Sequence, residues 1–341
     1  MGVTRRNRLD NRLRPGVPGP PPGAAVPPSD PAVRTSVRPR WAQLAPEARE
    51  SVTAVLGSSV ARSLPQAGGF SPGLAVRATL ADGRPVFLKG IATDHAAYSM
   101  YATEAAVNRA LPAQVPVPRL LDAWEAGGWL LMAFEDVGGG HPDLAPGSPD
   151  LGAVLHLLDR LPQTVSPSPI PDAPAVADVL QGGFHGWRTL ADQHAALDTW
   201  SARHLGKLAA IERDWRADST GDCLLHVDLR ADNMLMRDGN ALAIDWAYLH
   251  QGAPWIDPAF LVPQLIRAGH SPARAEELMA DVASWNGAPP EAVTSFAAAQ
   301  AGYWERSSRL PAPPGVPHLR GYQAEMAAIG RTWIAHRTGW R

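Results

Sequence analysis

The chain has 341 residues, 45% of them hydrophobic and 19% charged, which is the composition of an ordinary globular protein long enough for one large domain or two smaller ones. Its net charge of −2 provides no general attraction to nucleic acids or anionic membranes, and no apolar run reaches the ~18 residues that suggest a membrane span. A single cysteine, Cys223, excludes an intramolecular disulfide and fits a reducing compartment, so we expect a cytoplasmic protein. We also expect a monomer or weak dimer with no nucleic acid or membrane partner.

Residues 1–40 differ in composition from the rest of the chain. They contain eight arginines against two acidic residues, together with a proline-rich stretch over residues 17–31. Such a segment buries too little apolar surface to offset the entropy lost on ordering, so we predict a disordered tail over residues 1–40. It also lacks the apolar centre of a signal peptide. Docking of a partner through the arginines stays open as an alternative.

The pattern of a small antiparallel sheet follows the tail. It predicts a helix over 46–56 and strands over 74–80, 85–88, 119–124 and 129–134, the first two joined by a turn at Asp82-Gly83. A glycine-rich stretch containing Gly68, Gly69 and Ser71 precedes the first strand. Backbone N–H groups in such a stretch can approach a phosphate closely, although a glycine cluster at this place is often only a turn.

The use of lysine in this chain is selective. Of the 31 basic residues, only Lys89 and Lys207 are lysines, and Lys89 ends an apolar strand. Where a basic residue needs only to be solvated, this chain uses arginine. Lys89 therefore indicates a place where a compact charge is required. A strand-end lysine that reaches solvent is the alternative. The helix predicted over 94–111 contains Glu104, the one acidic residue between Asp94 and Asp122.

Glycines over residues 138–140 break the strand pattern and indicate a hinge to a second, helical region. The spacing of apolar residues there predicts helices over 150–161, 175–180, 190–215, 258–268, 273–284, 291–306 and 318–334. Asp257 is predicted to cap the helix that follows it, with Pro258 at the first helical position.

The most informative segment is HVDLRADNMLMRDGNALAIDW. Asp238-Gly239 supplies the two positive φ angles of a tight hairpin turn, which brings Asn233 and Asp245 side by side at the open end, with Asp228 on the loop that leads into it. Two carboxylates and an amide oxygen suit Mg²⁺, and phosphoryl transfer uses such a set of groups. An ordinary surface hairpin with solvated polar side chains is the alternative.

The pattern His-x-Asp-x-x-x-x-Asn, followed by a strand that ends in Ile-Asp-Trp, resembles the catalytic and metal-binding segments of the aminoglycoside phosphotransferase family. The resemblance extends over residues 68–260 and implies an α+β, bilobal protein-kinase-like fold. An antiparallel sheet would form the N-terminal nucleotide-binding lobe (41–136), and a mainly helical C-terminal lobe (137–341) would bind the acceptor.

The same resemblance implies roles for individual residues. Asp228 would be the catalytic base, and Asn233 and Asp245 the ligands of Mg²⁺. Lys89 would contact the phosphates of ATP, held in place by Glu104. Backbone groups around Phe134 and Glu135 would meet the adenine. The implied partners are ATP, Mg²⁺ and a small molecule with a hydroxyl group.

This chain departs from the family pattern at two places. Val227 stands where the family usually has glycine, and Arg230-Ala231-Asp232 replaces a His-Pro-Gly-like run. Arg230 follows the proposed base by two residues, so it either touches the γ-phosphate during catalysis or faces solvent.

Two other functions fit the sequence less well. A protein kinase is disfavoured because only twelve positions lead from Asp245 to Asp257, too few for a peptide-docking segment. An inactive nucleotide-binding regulatory protein of the same fold stays the main alternative. The residues implied as base, metal ligands, lysine and glutamate are nevertheless all present.

The composition beyond residue 258 bears on the acceptor. Residues 258–341 hold eight arginines, six acidic residues and eight aromatic residues. Each ammonium of a polycationic aminoglycoside needs a counter-charge once it loses its water. We therefore expect kanamycin-type compounds to be poor acceptors, and a neutral or weakly charged alcohol that bears a ring to be a better one.

Overall fold

The computed structural model describes residues 38–66, 72–312 and 318–341. Gly68, Gly69 and Ser71, which were predicted to contact phosphate, lie outside the described residues, as do residues 1–37 of the predicted tail. The described chain begins at Arg38, three residues before the predicted start of the fold.

The first lobe consists of one sheet and two helices. In chain order these are α1 (Pro46–Leu56), β1 (Val60–Pro65), β2 (Leu74–Leu80), β3 (Pro85–Ala92), α2 (Tyr98–Ala110), β4 (Leu120–Ala126) and β5 (Trp129–Glu135). All neighbouring strands are antiparallel, in the order β1-β2-β3-β5-β4. The predicted helices and the four predicted strands are confirmed, with boundaries that differ by a few residues.

The sheet is buried on both faces, which explains the unbroken apolar run of β5. Leu131 and Ala133 pack on one face with α1, while Leu130, Met132 and Phe134 pack on the other face with α2. Alternate side chains of a strand point to opposite faces, so a strand between two helices needs apolar residues at successive positions.

Strand β1 was not predicted from the sequence. It lies at the edge of the sheet and pairs only with β2. Its side chains are half-buried or exposed, and it includes Arg62, Ser63 and Pro65. An edge strand with one paired side and little burial can carry polar residues and a proline, so it shows no apolar alternation.

The connection between the lobes is tied to both of them. Arg77 on β2 donates to the carbonyl oxygens of Gly138 and Gly139 at 2.9 and 3.1 Å, and its Nε lies 3.4 Å from Asp136. From the second lobe, Arg237 donates to Glu135 at 3.1 Å. These contacts hold the end of β5 in a defined position relative to both lobes.

The second lobe is mainly helical. Its elements are α3 (Leu151–Val165), α4 (Val176–Leu180), α5 (Gly186–Asp192), α6 (Thr199–Ile211), β6 (Cys223–Leu225), β7 (Met234–Arg237), β8 (Asn240–Ala243), β9 (His250–Gly252), α7 (Ile256–Arg267), α8 (Pro272–Met279), α9 (Ala283–Asn286), α10 (Pro290–Ser308) and α11 (Leu319–Thr338). Strands β7 and β8 form a hairpin, and β6 pairs with β9.

The single helix predicted over 190–215 is wrong. The chain forms α5 and α6 there, separated by a loop in which His194 has a φ of 48°, and continues into a 3₁₀ turn over Asp214–Asp218. The Asp198 side chain accepts from the N–H groups of Trp200 and Ser201, which caps α6. Apolar spacing continues across this break because both helices pack on the same core. Among the described helices, none has the length and apolar character needed to cross a membrane.

Helix α10 is at the centre of the second lobe and is buried along most of its length. It crosses α5 at two glycines: a Cβ on Gly186 would lie 1.9 Å from the Gly302 oxygen, and a Cβ on Gly302 would lie 2.7 Å from the Trp187 ring. The Trp187 indole, which is fully buried, donates to Ala298 at 2.8 Å. The two backbones approach this closely because neither residue has a side chain.

We predict that Gly302→Ala lowers the free energy of unfolding by about 1–3 kcal/mol, because the added methyl group has no space beside the Trp187 ring. Urea denaturation measures the change. Gly321→Ala on α11 is the matched control, since a Cβ there meets open space. The control should be as stable as the unmodified protein or more so, and equal stability of the two variants would contradict the packing described here.

Candidate active site

A buried ion pair joins β3 to α2. The Lys89 Nζ lies 2.8 and 2.6 Å from the two carboxylate oxygens of Glu104, and the two residues are only 8% and 3% exposed. Burial raises the pKa of Glu104 to about 7, although the Lys89 ammonium opposes the shift. The Lys89 side chain therefore does not reach solvent, and the alternative of a solvated strand-end lysine is wrong.

Lys89 also contacts Asp245, which lies two residues after the end of β8 in the other lobe. Burial by itself raises the pKa of Asp245, but the lysine outweighs it and holds that pKa below its ordinary value. The charge of Arg38 acts in the same direction. Arg38 was assigned to the disordered tail, but its side chain is half-buried near this carboxylate, so the folded part of the chain includes it.

The hairpin that carries Asp245 has the predicted turn. Asp238 and Gly239 have φ values of 50° and 75°, and the pair Arg237–Asn240 closes the turn. At the open end, the Ile244 N–H donates to the Asn233 oxygen at 2.9 Å. This register confirms that Asn233 and Asp245 meet at one end of the hairpin.

Asp228 and Asn233 are held together on the loop before β7. The Asn233 side-chain Nδ2 donates to the backbone oxygen and to the Oδ2 of Asp228, both at 2.8 Å. The Nε of Arg230 lies 3.3 Å from Asp228 and 3.3 Å from Asp232. Arg230 is therefore buried between two carboxylates, and the alternative of a solvent-facing arginine is wrong.

Burial raises the pKa of Asp228 to about 7, with Arg230 opposing the shift and Asp232 and Asp245 adding to it. A carboxyl group with a pKa near the working pH can both accept and release a proton, which suits a general base. Its neighbour His226 is different. Burial lowers the pKa of His226 to about 4, so the ring is neutral and its Nε2–H donates to the Ile244 oxygen at 2.8 Å.

The Asp257 side chain makes contacts that differ from the predicted helix cap. Helix α7 begins at Ile256, and the Asp257 carboxylate does not cap it. Instead it accepts from the backbone N–H groups of His226 at 2.9 Å and Val227 at 2.7 Å. The predicted cap is therefore wrong, because α7 starts earlier than expected and the side chain is directed to the loop that carries Asp228.

Val227 has a φ of 55°, a conformation that glycine adopts freely and a β-branched residue adopts only under strain. The departure from the family pattern noted in the sequence therefore falls on a backbone that favours glycine. The Asp257 carboxylate, which accepts from the Val227 N–H, is the contact that holds this conformation.

The arrangement fits a magnesium ion shared with a nucleotide. Within residues 38–66, 72–312 and 318–341, no three His, Cys, Asp or Glu side chains lie together as a set that could hold a metal ion. Mg²⁺ commonly takes one or two protein oxygens and completes its octahedron with phosphates and water. Asp245 supplies a carboxylate, and the Asn233 Oδ1 accepts only a long contact from the Arg230 Nη2, at 3.5 Å, because the Asn233 Nδ2 faces Asp228.

The adenine contact predicted around Phe134 and Glu135 stays a prediction. Phe134 and Glu135 end β5, and the Glu135 N–H already donates to the Arg119 oxygen at 2.9 Å. The first backbone groups beyond the sheet therefore belong to Asp136 and Val137. Sequence spacing alone could not show this, because strand β4 determines which amide groups are used.

Comparison with known proteins agrees with this geometry. The model of the phosphotransferase enzyme family (APH) matches residues 67–294. No match is found among curated protein sequences. Similar solved structures include spectinomycin phosphotransferase APH(9)-Ia with ADP and spectinomycin, at a TM-score of 0.57 and 12% identity over 85% of this chain and 98% of that one.

Two other structures have the same fold. A choline/ethanolamine kinase family protein from Mesorhizobium loti has a TM-score of 0.56 at 15% identity and covers 86% of this chain and 98% of its own. A thermostable mutant of APH(4)-Ia with AMP-PNP and hygromycin B has a TM-score of 0.53 at 18% identity, covering 84% and 99%. The predicted bilobal, kinase-like α+β fold is confirmed.

The backbone at Val227 yields a stability prediction. Val227→Gly and Val227→Ala both remove buried side-chain atoms, but only glycine relieves the strain of a positive φ. We expect the glycine variant to exceed the alanine variant by about 1 kcal/mol in free energy of unfolding, measured in urea. The same pair of substitutions at Leu235, in strand β7, should show the opposite order. An alanine variant as stable as the glycine variant at residue 227 would contradict the strain.

Proposed function

Because this chain belongs to the phosphotransferase enzyme family, we propose that it moves the γ-phosphoryl group of ATP to a hydroxyl group of a small molecule. The observation that carries the proposal is the contact of the buried Lys89 ammonium with both Glu104 and Asp245, the carboxylate for which a metal-binding role is proposed. The related structures with hygromycin B or spectinomycin bound support a small-molecule acceptor.

The nucleotide would lie between the two lobes. Lys89 would contact the phosphates, and Glu104 keeps the ammonium in place, because a buried cation without a partner is costly. The adenine would meet backbone groups of Asp136 and Val137, next to Phe134 and Glu135. Asn233 and Asp245 would hold Mg²⁺, which neutralises phosphate charge as transfer proceeds.

Asp228 would orient the acceptor hydroxyl and accept its proton. The Arg230 guanidinium, 3.3 Å from Asp228, favours the ionised form of this carboxyl, and Asn233 fixes its orientation. Phosphoryl transfer asks for little covalent help, so accurate positioning and charge neutralisation supply most of the acceleration. Because Arg230 is bound by two carboxylates, a direct contact with the γ-phosphate would require its Nη atoms.

Asp228→Asn is expected to lower kcat by about 10²–10⁴-fold while ATP binding stays nearly unchanged, because the carboxylate acts on the acceptor and not on the metal. The measurement is Mg²⁺-dependent ATP turnover with a panel of small hydroxylated compounds. Asp238→Asn, in the exposed hairpin turn, is the control. Normal kcat in the Asp228 variant would remove this residue from the mechanism. ATP binding without transfer to any compound would favour an inactive regulatory protein.

Asp245→Ala should instead abolish the Mg²⁺-dependent part of ATP binding, because the substitution removes a direct metal ligand. Calorimetric titration with ATP, in the presence and absence of Mg²⁺, measures the effect. The same titration on Asp238→Asn controls for loss of a negative charge nearby, because asparagine tolerates the positive φ of this turn position. An unchanged affinity for ATP with Mg²⁺ would show that Asp245 is not a metal ligand.

A further inference from the structure

We propose that the acceptor is an organic anion: a small hydroxylated molecule with a carboxylate or phosphate group, bound between the loop that carries Asp228 and helices α7, α10 and α11. The inference rests on the proposed function, because it places the acceptor hydroxyl at Asp228. It names a substrate class that differs from both a polycationic antibiotic and the neutral alcohol favoured by composition alone.

Two acidic side chains on these helices, Glu305 on α10 and Glu325 on α11, are already paired with arginines. Glu305 is bound by Arg309 at 2.5 Å and by Arg331 at 2.7 Å. On α11, Glu325 lies 3.2 Å from Arg267. A polycation would have to displace an arginine from each of these carboxylates, so this face of the lobe offers ammonium groups few counter-charges.

Two arginines on the same face have neutral partners instead. Arg306 donates to the Nε2 of His185 at 3.2 Å, and the Nδ1–H of this histidine donates to the Gln181 oxygen at 3.0 Å, so the ring accepts from Arg306 without adding a negative charge. Arg320 donates to Gln323 at 2.7 Å and to the Pro311 oxygen at 2.8 and 3.1 Å. Within the described part of the chain, neither guanidinium pairs with a carboxylate. Their positive charge is oriented but not compensated.

Tyr303 connects these arginines to the reaction centre. It lies on α10 one turn before Arg306, and it is buried. Burial raises the pKa of the Tyr303 hydroxyl to about 12, Arg320 and Arg306 oppose the shift, and Asp228 adds to it. The charges of Arg306, Arg320 and Asp228 therefore all act on one side chain, and this tyrosine links the arginines of α10 and α11 with the loop that carries Asp228.

Arg230 adds an unused donor at the reaction centre, although Asp228 and Asp232 compensate its charge. It is 8% exposed, and its Nη1 has no hydrogen-bond partner among the described residues. A buried guanidinium with an unused N–H group is costly unless a ligand completes its bonding. Its charge also acts on Tyr248 and Tyr322, so these rings lie around it.

Tyr322 supplies an apolar wall in this region. Its hydroxyl accepts from Gln264 at 3.1 Å, and its ring lies under the Arg267 guanidinium at 5.1 Å. The aromatic rings supply apolar walls, and the arginines supply fixed donors for an anionic group. Arginine suits a bidentate contact to a carboxylate or phosphate better than lysine does.

The test compares matched acceptors that differ in charge. Gluconate and glucose form one pair, glycerate and glycerol another, and kanamycin represents the polycations. Binding is measured by calorimetry on the full chain saturated with Mg²⁺ and a non-hydrolysable ATP analogue, and transfer is measured with ATP. We expect at least one acid to bind about tenfold more tightly than its neutral counterpart. If no acid exceeds its counterpart, or if kanamycin binds most tightly, the proposal is overturned.

Charge-removing variants locate the site. Arg320→Gln and Arg306→Gln should each weaken binding of the preferred acid about tenfold and leave its neutral counterpart unaffected. Arg274→Gln is the control, because Arg274 lies on the exposed side of α8 and pairs with Glu277. Acid binding that is equal in all three variants would place the anion elsewhere and contradict the proposal.

The same experiments separate this inference from the function on which it rests. If the unmodified protein shows no Mg²⁺-dependent ATP binding, the phosphotransferase function is contradicted. The comparison of acids with neutral compounds, repeated without nucleotide, would then still show whether the protein binds an organic anion. Normal ATP binding without preference for an acid would contradict only the anionic acceptor.

Discussion

The Lys89 ammonium lies between two carboxylates that come from different lobes, and the geometry of the site depends on this contact. Glu104 reaches it from α2, and Asp245 reaches it from the end of the β7–β8 hairpin. A buried cation is stable only when its charge is compensated and its donors are used, so the helix, the sheet and the hairpin must all be in place together. The ion pair thus makes the orientation of the lobes a condition for assembling the nucleotide site.

The loop with the proposed base shows how a functional geometry is held against local preference. Val227 has a backbone conformation that disfavours it, and His226 is buried as a neutral ring. Asp257 accepts from both backbone N–H groups, and burial raises its pKa to about 6 while those two donors oppose the shift. Such strain persists where surrounding contacts over-determine the backbone, and it is concentrated at functional sites. The contact that opposes these local costs is the Asp257 carboxylate, which accepts from the N–H groups of His226 and Val227.

Charge is distributed unevenly across the second lobe, and this distribution bears on specificity. Carboxylates such as Glu305 are enclosed by arginines, while Arg306 and Arg320 are held by neutral acceptors. Compensated pairs contribute to the fold, whereas an oriented but uncompensated guanidinium is available for recognition. Family membership therefore accounts for the transfer of a phosphoryl group, and the pairing of arginines on α10 and α11 supports an acceptor class particular to this chain.

The sequence by itself determined those features that depend only on residues close together along the chain. Asp238-Gly239 needs only its own φ angles to form a turn, and that turn sets the register that brings Asn233 to Asp245. The double-sided burial of β5 is likewise visible as an apolar run. The rarity of lysine indicated Lys89, and the position of Glu104 within one helix left it without a competitor.

Tertiary structure decided the features that depend on distant parts of the chain. An edge strand such as β1 carries little apolar signal because only one of its sides is paired. The break between α5 and α6 was hidden because both helices contribute to one core. Asp257 was assigned to a local cap, since sequence spacing cannot show that its carboxylate reaches residues thirty positions earlier. The packing of the helices also decides which arginines have carboxylate partners. Composition gives only the numbers of arginines and acidic residues, and it does not show which of them form ion pairs.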